Sequence, residues 1–74
     1  MNEILEQMTN EVEITIILKN GDKFSGNTSK LSAKVISEEL GNIEGVVELT
    51  DKRAKITRVF PVRNILMIQK RTLS

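Results

Sequence analysis

The chain has 74 residues, of which 39% are hydrophobic, and it contains neither cysteine nor histidine. A domain of this size buries only ~60% of the surface that its unfolded chain exposes, so its own core is small. The composition excludes disulfides, thiolate and imidazole metal sites and the commonest general base, and it leaves oligomerisation as the expected source of further burial.

The charges are unevenly distributed, although the net charge is only +1. Residues 1–49 carry nine acidic and four basic side chains, whereas residues 50–74 carry one acidic and seven basic ones. Such asymmetry is typical of a chain with a partner of one sign. It also suits a basic strand that meets the acidic face of a neighbouring subunit, and a simply solvated surface is the third interpretation.

The N-terminal segment, residues 3–9, is predicted to form a short helix with Ile4, Leu5 and Met8 on one side. No basic region followed by a long apolar stretch is present there, so no secretory signal is expected. The longest apolar runs, such as residues 65–68, are far too short to cross a bilayer. We therefore expect a cytoplasmic protein with no membrane partner.

The next segment, residues 11–19, is predicted to be a strand that ends in a tight hairpin. One face holds Val12, Ile14, Ile16 and Leu18, and the other holds Glu11, Glu13, Thr15 and Ile17. Ile17 on the polar face indicates a second contact. Asn20-Gly21 predicts a type I′ turn, in which both central residues have positive φ. The second strand, residues 23–28, then pairs antiparallel with the first, and Gly26 marks a bend or bulge.

Residues 29–41 fit two structures. The apolar positions that would share a helical face are Leu31, Val35 and Leu40. Ser29 or Ser32 would cap this helix and Gly41 would end it. Residues 34–37 also suit a strand, but we favour the helix or helical turn.

Three further strands are predicted at residues 45–50, 55–60 and 64–69. Asp51-Lys52-Arg53-Ala54 forms the turn between the first two, and Pro61 should lie at a strand end because it cannot donate a hydrogen bond. Residues 70–74 are expected to be a tail. Residues 1–74 are thus predicted to form one mainly β domain, a small, strongly bent, five-stranded antiparallel barrel with a short N-terminal helix.

The order of these elements resembles the Sm-like superfamily, which includes the bacterial Hfq branch. That family has a short helix, a strand ending in Lys-Asn-Gly or Lys-Asp-Gly, and a glycine in the second strand. Ile14–Leu18, Lys19-Asn20-Gly21, Gly26 and the last strand, Asn64–Ile68, match this order. The resemblance spans residues 3–27 and 55–69. It implies an SH3-like barrel, a ring-shaped homo-oligomer built by edge-to-edge strand pairing, and non-catalytic binding of RNA or single-stranded nucleic acid.

The candidate contacts to nucleic acid lie in the basic C-terminal third of the chain. They are Lys52, Arg53, Lys55, Arg58 and Arg63 for phosphate, with Asn64 for a base. Arg63, beside Asn64 at the mouth of the last strand, could bond a base or phosphate in bidentate geometry. The alternatives are solvated turn charges, or ion pairs with Glu44 and Glu48. Phe24 is expected in the core, and Phe60 fits either the core or a stacking platform.

No catalytic, metal or cofactor site is predicted. Glu38, Glu39 and Glu44 resemble paired carboxylates, but without histidine they are expected to form a solvated face. Residues 41–45 lack the lysine and hydroxyl residue of a phosphate-binding loop. A second function stays open, namely a protein–protein adaptor or regulatory subunit, for example of phage or plasmid type. Such a protein would add a strand to its partner and bind no nucleic acid, and the scarcity of aromatic residues favours it.

Overall fold

The computed structural model describes residues 11–51 and 53–72. The elements in this part of the chain are β1 (Glu11–Leu18), β2 (Lys23–Ser29), α1 (Lys30–Glu39), β3 (Val46–Asp51), β4 (Ile56–Pro61), a 3-10 helix (Val62–Asn64) and β5 (Ile65–Thr72). The strands form two antiparallel sheets, in the orders β2-β1-β5 and β3-β4. The predicted mainly β architecture with five antiparallel strands is confirmed. The helix predicted over residues 3–9 lies outside the described residues.

Strand β1 is the centre of the larger sheet and has the predicted alternation. Val12, Ile14 and Ile16 are buried, and the intervening side chains are exposed or half-buried. On the outer face, Ile17 stands opposite Met67 of β5, whose side chain is 47% exposed. Ile17 thus belongs to a small apolar pair on an otherwise polar face.

The β1–β2 hairpin is confirmed, but its predicted type I′ turn is wrong. The Leu18 carbonyl oxygen accepts from the Gly21 nitrogen at 2.9 Å, and the Leu18 nitrogen donates to the Asp22 carbonyl oxygen at 2.8 Å. Gly21 has a φ of 96°, whereas Asn20 is not among the residues with positive φ. This is a three-residue connection with a glycine bulge. Asn20 accepts from the Asp22 nitrogen through Oδ1 at 2.9 Å, which fixes the turn.

Residues 30–39 form helix α1, so the helical alternative was correct and the strand alternative for residues 34–37 is wrong. Ser29 is the N-cap, since its Oγ accepts from the Ser32 nitrogen at 3.1 Å. At the other end, the Gly41 nitrogen donates to the Glu38 carbonyl oxygen at 3.2 Å.

The face of α1 that packs on the sheets differs from the predicted face. Ala33 and Ile36 are buried, whereas Leu31 and Val35 are 40% and 57% exposed. Because Ala33 is small, the helix can approach the sheets closely along this side. Leu31 and Val35, which are both larger than alanine, are left at the surface.

The core lies between the two sheets and α1. Its buried hydrophobic residues are Val12, Ile14, Ile16, Ala33, Ile36, Val47, Leu49, Phe60, Val62 and Ile65. Leu49 of β3 packs against Gly26 of β2, where a Cβ atom would lie only 3.3 Å from the Leu49 Cγ. The β1–β2 register runs through Gly26 without a shift, so the predicted bulge is absent there. Gly26 instead lies where one sheet meets the other.

The C-terminal strands depart from the sequence prediction in length. Strand β4 ends at Pro61, as predicted, and a 3-10 helix follows it. Strand β5 continues to Thr72, which pairs with Val12, so residues 70–72 are part of the sheet and not of a tail. The register between β1 and β5 shifts near Ile17, which leaves Leu66 as the extra residue of a bulge with 60% of its side chain exposed.

Candidate nucleic-acid interface

The turn between β3 and β4 carries two of the candidate cations. The Asp51 carboxylate accepts through Oδ1 from the Arg53 nitrogen at 3.0 Å and from the Ala54 nitrogen at 3.5 Å, which holds the turn closed. Lys55, the last residue before β4, has a φ of 57°, which is in the left-handed region of the backbone. Both basic side chains are exposed, so they can approach a phosphate without rearrangement. Lys52, the third candidate in this turn, lies outside the described residues.

Arg58 is engaged within the fold. It lies on the face of β4 that points towards β2, with its guanidinium carbon 5.5 Å from the centroid of the Phe24 ring. Phe24 in turn packs against Phe60, with ring centroids 5.3 Å apart and an angle of 45° between the rings. A guanidinium at this distance is attracted by the ring face. Arg58 therefore covers an aromatic pair, and binding a phosphate would compete with that contact.

The two phenylalanines do not form an open stacking platform. Phe60 is buried, with 7% of its surface exposed, which decides between the two interpretations of this residue in favour of the core. Phe24 is half-buried under Arg58. The base stacking that single-stranded nucleic-acid binders use would need another surface.

Arg63 and Asn64 lie in the 3-10 helix, next to the β1–β2 turn. Both side chains are exposed, and the Asn64 carbonyl oxygen accepts from the Lys19 nitrogen at 2.9 Å. This bond brings a third polar residue, Lys19, to the same corner. We call Lys19, Arg63 and Asn64 the turn corner. Sequence reasoning used Lys19 only as part of the hairpin motif and missed it as a possible contact.

The candidate nucleic-acid contacts lie at separate places in the fold. In the β3–β4 hairpin, Asp51 pairs with Ile56 at the turn, and Val46 pairs with Pro61 at the opposite end. The distance along β4 from Ile56 to Pro61 is roughly 17 Å at the usual rise per residue. The cationic turn and the turn corner therefore lie at opposite ends of the hairpin, with Arg58 between them on the inward-pointing face.

The acidic residues do not neutralise these cations in the part of the chain that the structure describes. The ion pair found there joins Arg71 Nη2 to Glu13 Oε1 at 3.4 Å, across strands β5 and β1. The predicted pairing of the basic residues with Glu44 and Glu48 is absent from residues 11–51 and 53–72. Residues 11–51 and 53–72 also contain no cluster of three or more acidic side chains that could hold a metal ion.

Two further findings concern membrane-spanning helices and similarity to known proteins. Within the described ranges, no helix is both long enough and apolar enough to cross a membrane. No protein-family model, curated protein or solved structure matches this chain.

Proposed function

We propose that this chain is a non-catalytic, Sm-like small β-barrel protein that assembles as a homo-oligomer and binds RNA or single-stranded nucleic acid. The observation that carries the proposal is that β5 and β4 each have an edge without a strand partner in the described residues. The other outer strands, β2 and β3, lie against each other at Gly26 and Leu49. Strand β5 pairs only with β1, and β4 pairs only with β3. An open edge is a row of unpaired backbone groups that another strand can complete.

The open edges carry exposed apolar side chains. Ile56 and Val59 on β4 are 43% and 54% exposed, and Leu66 and Met67 on β5 are 60% and 47% exposed. If β4 of one subunit pairs with β5 of the next, backbone bonds form and these side chains are covered at the same time. Each subunit has one edge of each kind, so the contact is heterologous and closes into a ring when its rotation allows.

Nucleic acid would bind through phosphate contacts at exposed cations. The turn corner supplies two basic side chains and an amide, and the β3–β4 turn supplies Arg53 and Lys55. In a ring, each corner is repeated in every subunit, so contacts that are weak alone would add along a single strand. The segment after β2, where Sm-like proteins carry their RNA-facing loop, is here helix α1. The contacts predicted from the sequence, Arg53, Lys55 and Arg63, therefore lie in turns and in the 3-10 helix and not in that segment.

A second candidate function, the protein–protein adaptor, is favoured by a groove between α1 and β3. The groove encloses about 580 Å³. Its lining includes Leu31, Val35 and Val46, which are 40%, 57% and 51% exposed. Exposed apolar side chains in one concave surface are typical of an interaction site. An apolar helix or strand of a partner protein would fit such a groove without any nucleic acid.

The experiment that separates the two functions is size-exclusion chromatography with light scattering, with and without labelled oligo-uridine or oligo-adenine RNA. A homo-oligomer that co-elutes with RNA, less so at high salt, would support the first proposal. A monomer or dimer that ignores both RNAs would contradict it and favour the adaptor.

The double variant Arg53→Ala/Arg63→Ala tests the assigned contacts. Loss of two phosphate contacts should make the slope of log affinity against log salt shallower by about 1.4. Arg71→Ala is the matched control, because its guanidinium is already paired with Glu13. An unchanged slope in the double variant would remove both arginines from the interface.

A further inference from the structure

A second basic surface combines two lysines of α1 with Lys70 from the basic C-terminal third of the chain. A groove of about 320 Å³ runs between α1 and the end of the larger sheet. Its lining residues are Val12, Lys30, Ala33, Lys34, Lys70 and Thr72. We call it the lysine groove. Of the six lining residues in the described part of the chain, three are lysines and none is acidic.

The fold, and not the sequence, brings these lysines together. Lys30 and Lys34 are four residues apart in α1 and therefore share one side of the helix. Lys70 pairs with Ile14, so it stands on the core-facing side of β5, whereas its neighbour Arg71 pairs with Glu13 on the outer side. The core-facing side of β5 carries apolar side chains along the earlier part of the strand. Near the end of the strand, beside α1, this side carries the charged side chain of Lys70.

The charges of the lysine groove are not balanced within the described residues. The ion pair found there uses Arg71 and Glu13, and none of the three groove lysines takes part in it. The lysines begin at the N-terminus of α1, whose first turn has no acidic residue. The positive end of the helix dipole adds to their potential. Three like charges around one concavity repel each other, and an anion bound between them would offset that repulsion.

We propose that the lysine groove binds backbone phosphates of single-stranded RNA. This inference rests on the proposed function and names a contact surface that the sequence did not indicate. The buried Val12 and Ala33 form an apolar floor, and the lysines stand around it. Lysine is a point charge with three donors and no fixed fork geometry, so the groove would position the backbone without reading the sequence.

The test compares three variants by fluorescence anisotropy with labelled oligo-uridine over a range of salt concentrations. Lys30→Ala/Lys34→Ala/Lys70→Ala should bind about tenfold or more weakly, with a salt slope shallower by about 2, since each lost phosphate contact on a single strand contributes about 0.7. The triple Lys→Arg variant should bind as the wild type does, because charge and reach are kept. Arg71→Ala, on the other side of β5, should leave the slope unchanged.

The outcomes separate the inference from the function on which it rests. RNA binding that survives the triple alanine variant but is lost in Arg53→Ala/Arg63→Ala would overturn the lysine groove alone. A wild-type protein that binds no RNA at any salt concentration would overturn the proposed function and the inference together. Inorganic phosphate is the comparison ligand. If it displaces the RNA at equal phosphate concentration, the groove is a site for free anions and the RNA assignment is overturned.

Discussion

Gly26 is a residue at which the packed core leaves little room for a side chain. It is buried in β2, and a Cβ atom there would lie 3.3 Å from the Leu49 Cγ and 3.5 Å from the Asp51 Cα. Leu49 has no exposed surface and cannot move away without displacing the core. The glycine therefore allows β2 and β3 to approach each other, and with them the two sheets.

Replacing Gly26 with alanine should lower the free energy of unfolding by about 1–3 kcal/mol, the usual effect of overfilling a packed core. The measurement is urea denaturation followed by circular dichroism. Gly41→Ala is the control, since its Cβ would lie at an ordinary 3.5 Å from the Glu38 carbonyl oxygen. That variant should be neutral or more stable by about 0.4–1 kcal/mol, because alanine restricts the unfolded chain. Equal stability of both variants would contradict the packing argument.

At the residue scale, the sequence predicted which positions are special more reliably than their conformation. It identified Asn20-Gly21 as a turn, which is found, and it singled out Gly26, which lies where β3 packs closely against β2. The turn type depends on how far strand pairing extends into the loop, which local sequence does not decide. The contact of Arg58 with Phe24 depends on how β4 lies against β2, so a candidate phosphate contact proved to be engaged inside the fold.

At the scale of elements, α1 is stabilised by its first turn. The Ser29 Oγ accepts from the Ser32 nitrogen at 3.1 Å, which satisfies one of the free backbone donors at the helix start. Only Ala33 and Ile36 of the ten helix residues are buried. With so little burial, the cap contributes a large share of the stability of this helix.

Ser29→Ala should therefore lower the free energy of unfolding by about 1 kcal/mol, and Ser29→Asp should restore it, because aspartate also caps and complements the helix dipole. Chemical denaturation of the three proteins provides the measurement. Ser37→Ala is the control within the same helix, since its Oγ donates to the Ala33 carbonyl oxygen at 3.1 Å. Losing that bond in mid-helix should change stability little or raise it slightly. A larger loss at Ser37 than at Ser29 would show that the cap is not the critical contact.

Periodicity alone did not decide between helix and strand for residues 29–41. Leu31, Val35 and Leu40 suggested a helical face, but the buried positions are Ala33 and Ile36. A short segment with few apolar residues fits several patterns, and the choice is made by capping and by the space between the sheets. The regular alternation of β1, in contrast, allowed one interpretation, and that interpretation was correct.

At the scale of the whole molecule, the sequence did not predict which charges meet. Arg53 and Arg63 are near each other in the chain but lie at opposite ends of the β3–β4 hairpin. Lys30 and Lys70 are far apart in the chain but line one groove. Antiparallel pairing folds distant segments together and separates neighbouring turns. A cluster of basic residues along a chain is therefore a weak guide to a basic surface.

Because the core of one subunit is small, the thermal stability of the protein can be used to test whether subunits assemble. If β4 of one subunit pairs with β5 of the next, folding is coupled to association and Tm rises with protein concentration. A tenfold increase in concentration contributes about 1.4 kcal/mol per associating contact, which corresponds to a rise of roughly 6–11 °C for a domain of this size. Circular dichroism melts over a hundredfold range of concentration would measure it.

Two valine variants show whether the strand edge is responsible. Val59 on β4 and Val35 on α1 have nearly equal exposure, 54% and 57%. Val59→Lys places a charge on the open strand, where lysines oppose edge-to-edge pairing, and should abolish the concentration dependence of Tm. Within the monomer it is tolerated, because Glu48 stands opposite. Val35→Lys adds the same charge away from the edge and should keep the dependence. If Val35→Lys abolishes it instead, the subunits meet through the α1–β3 groove and the strand edges are not the interface.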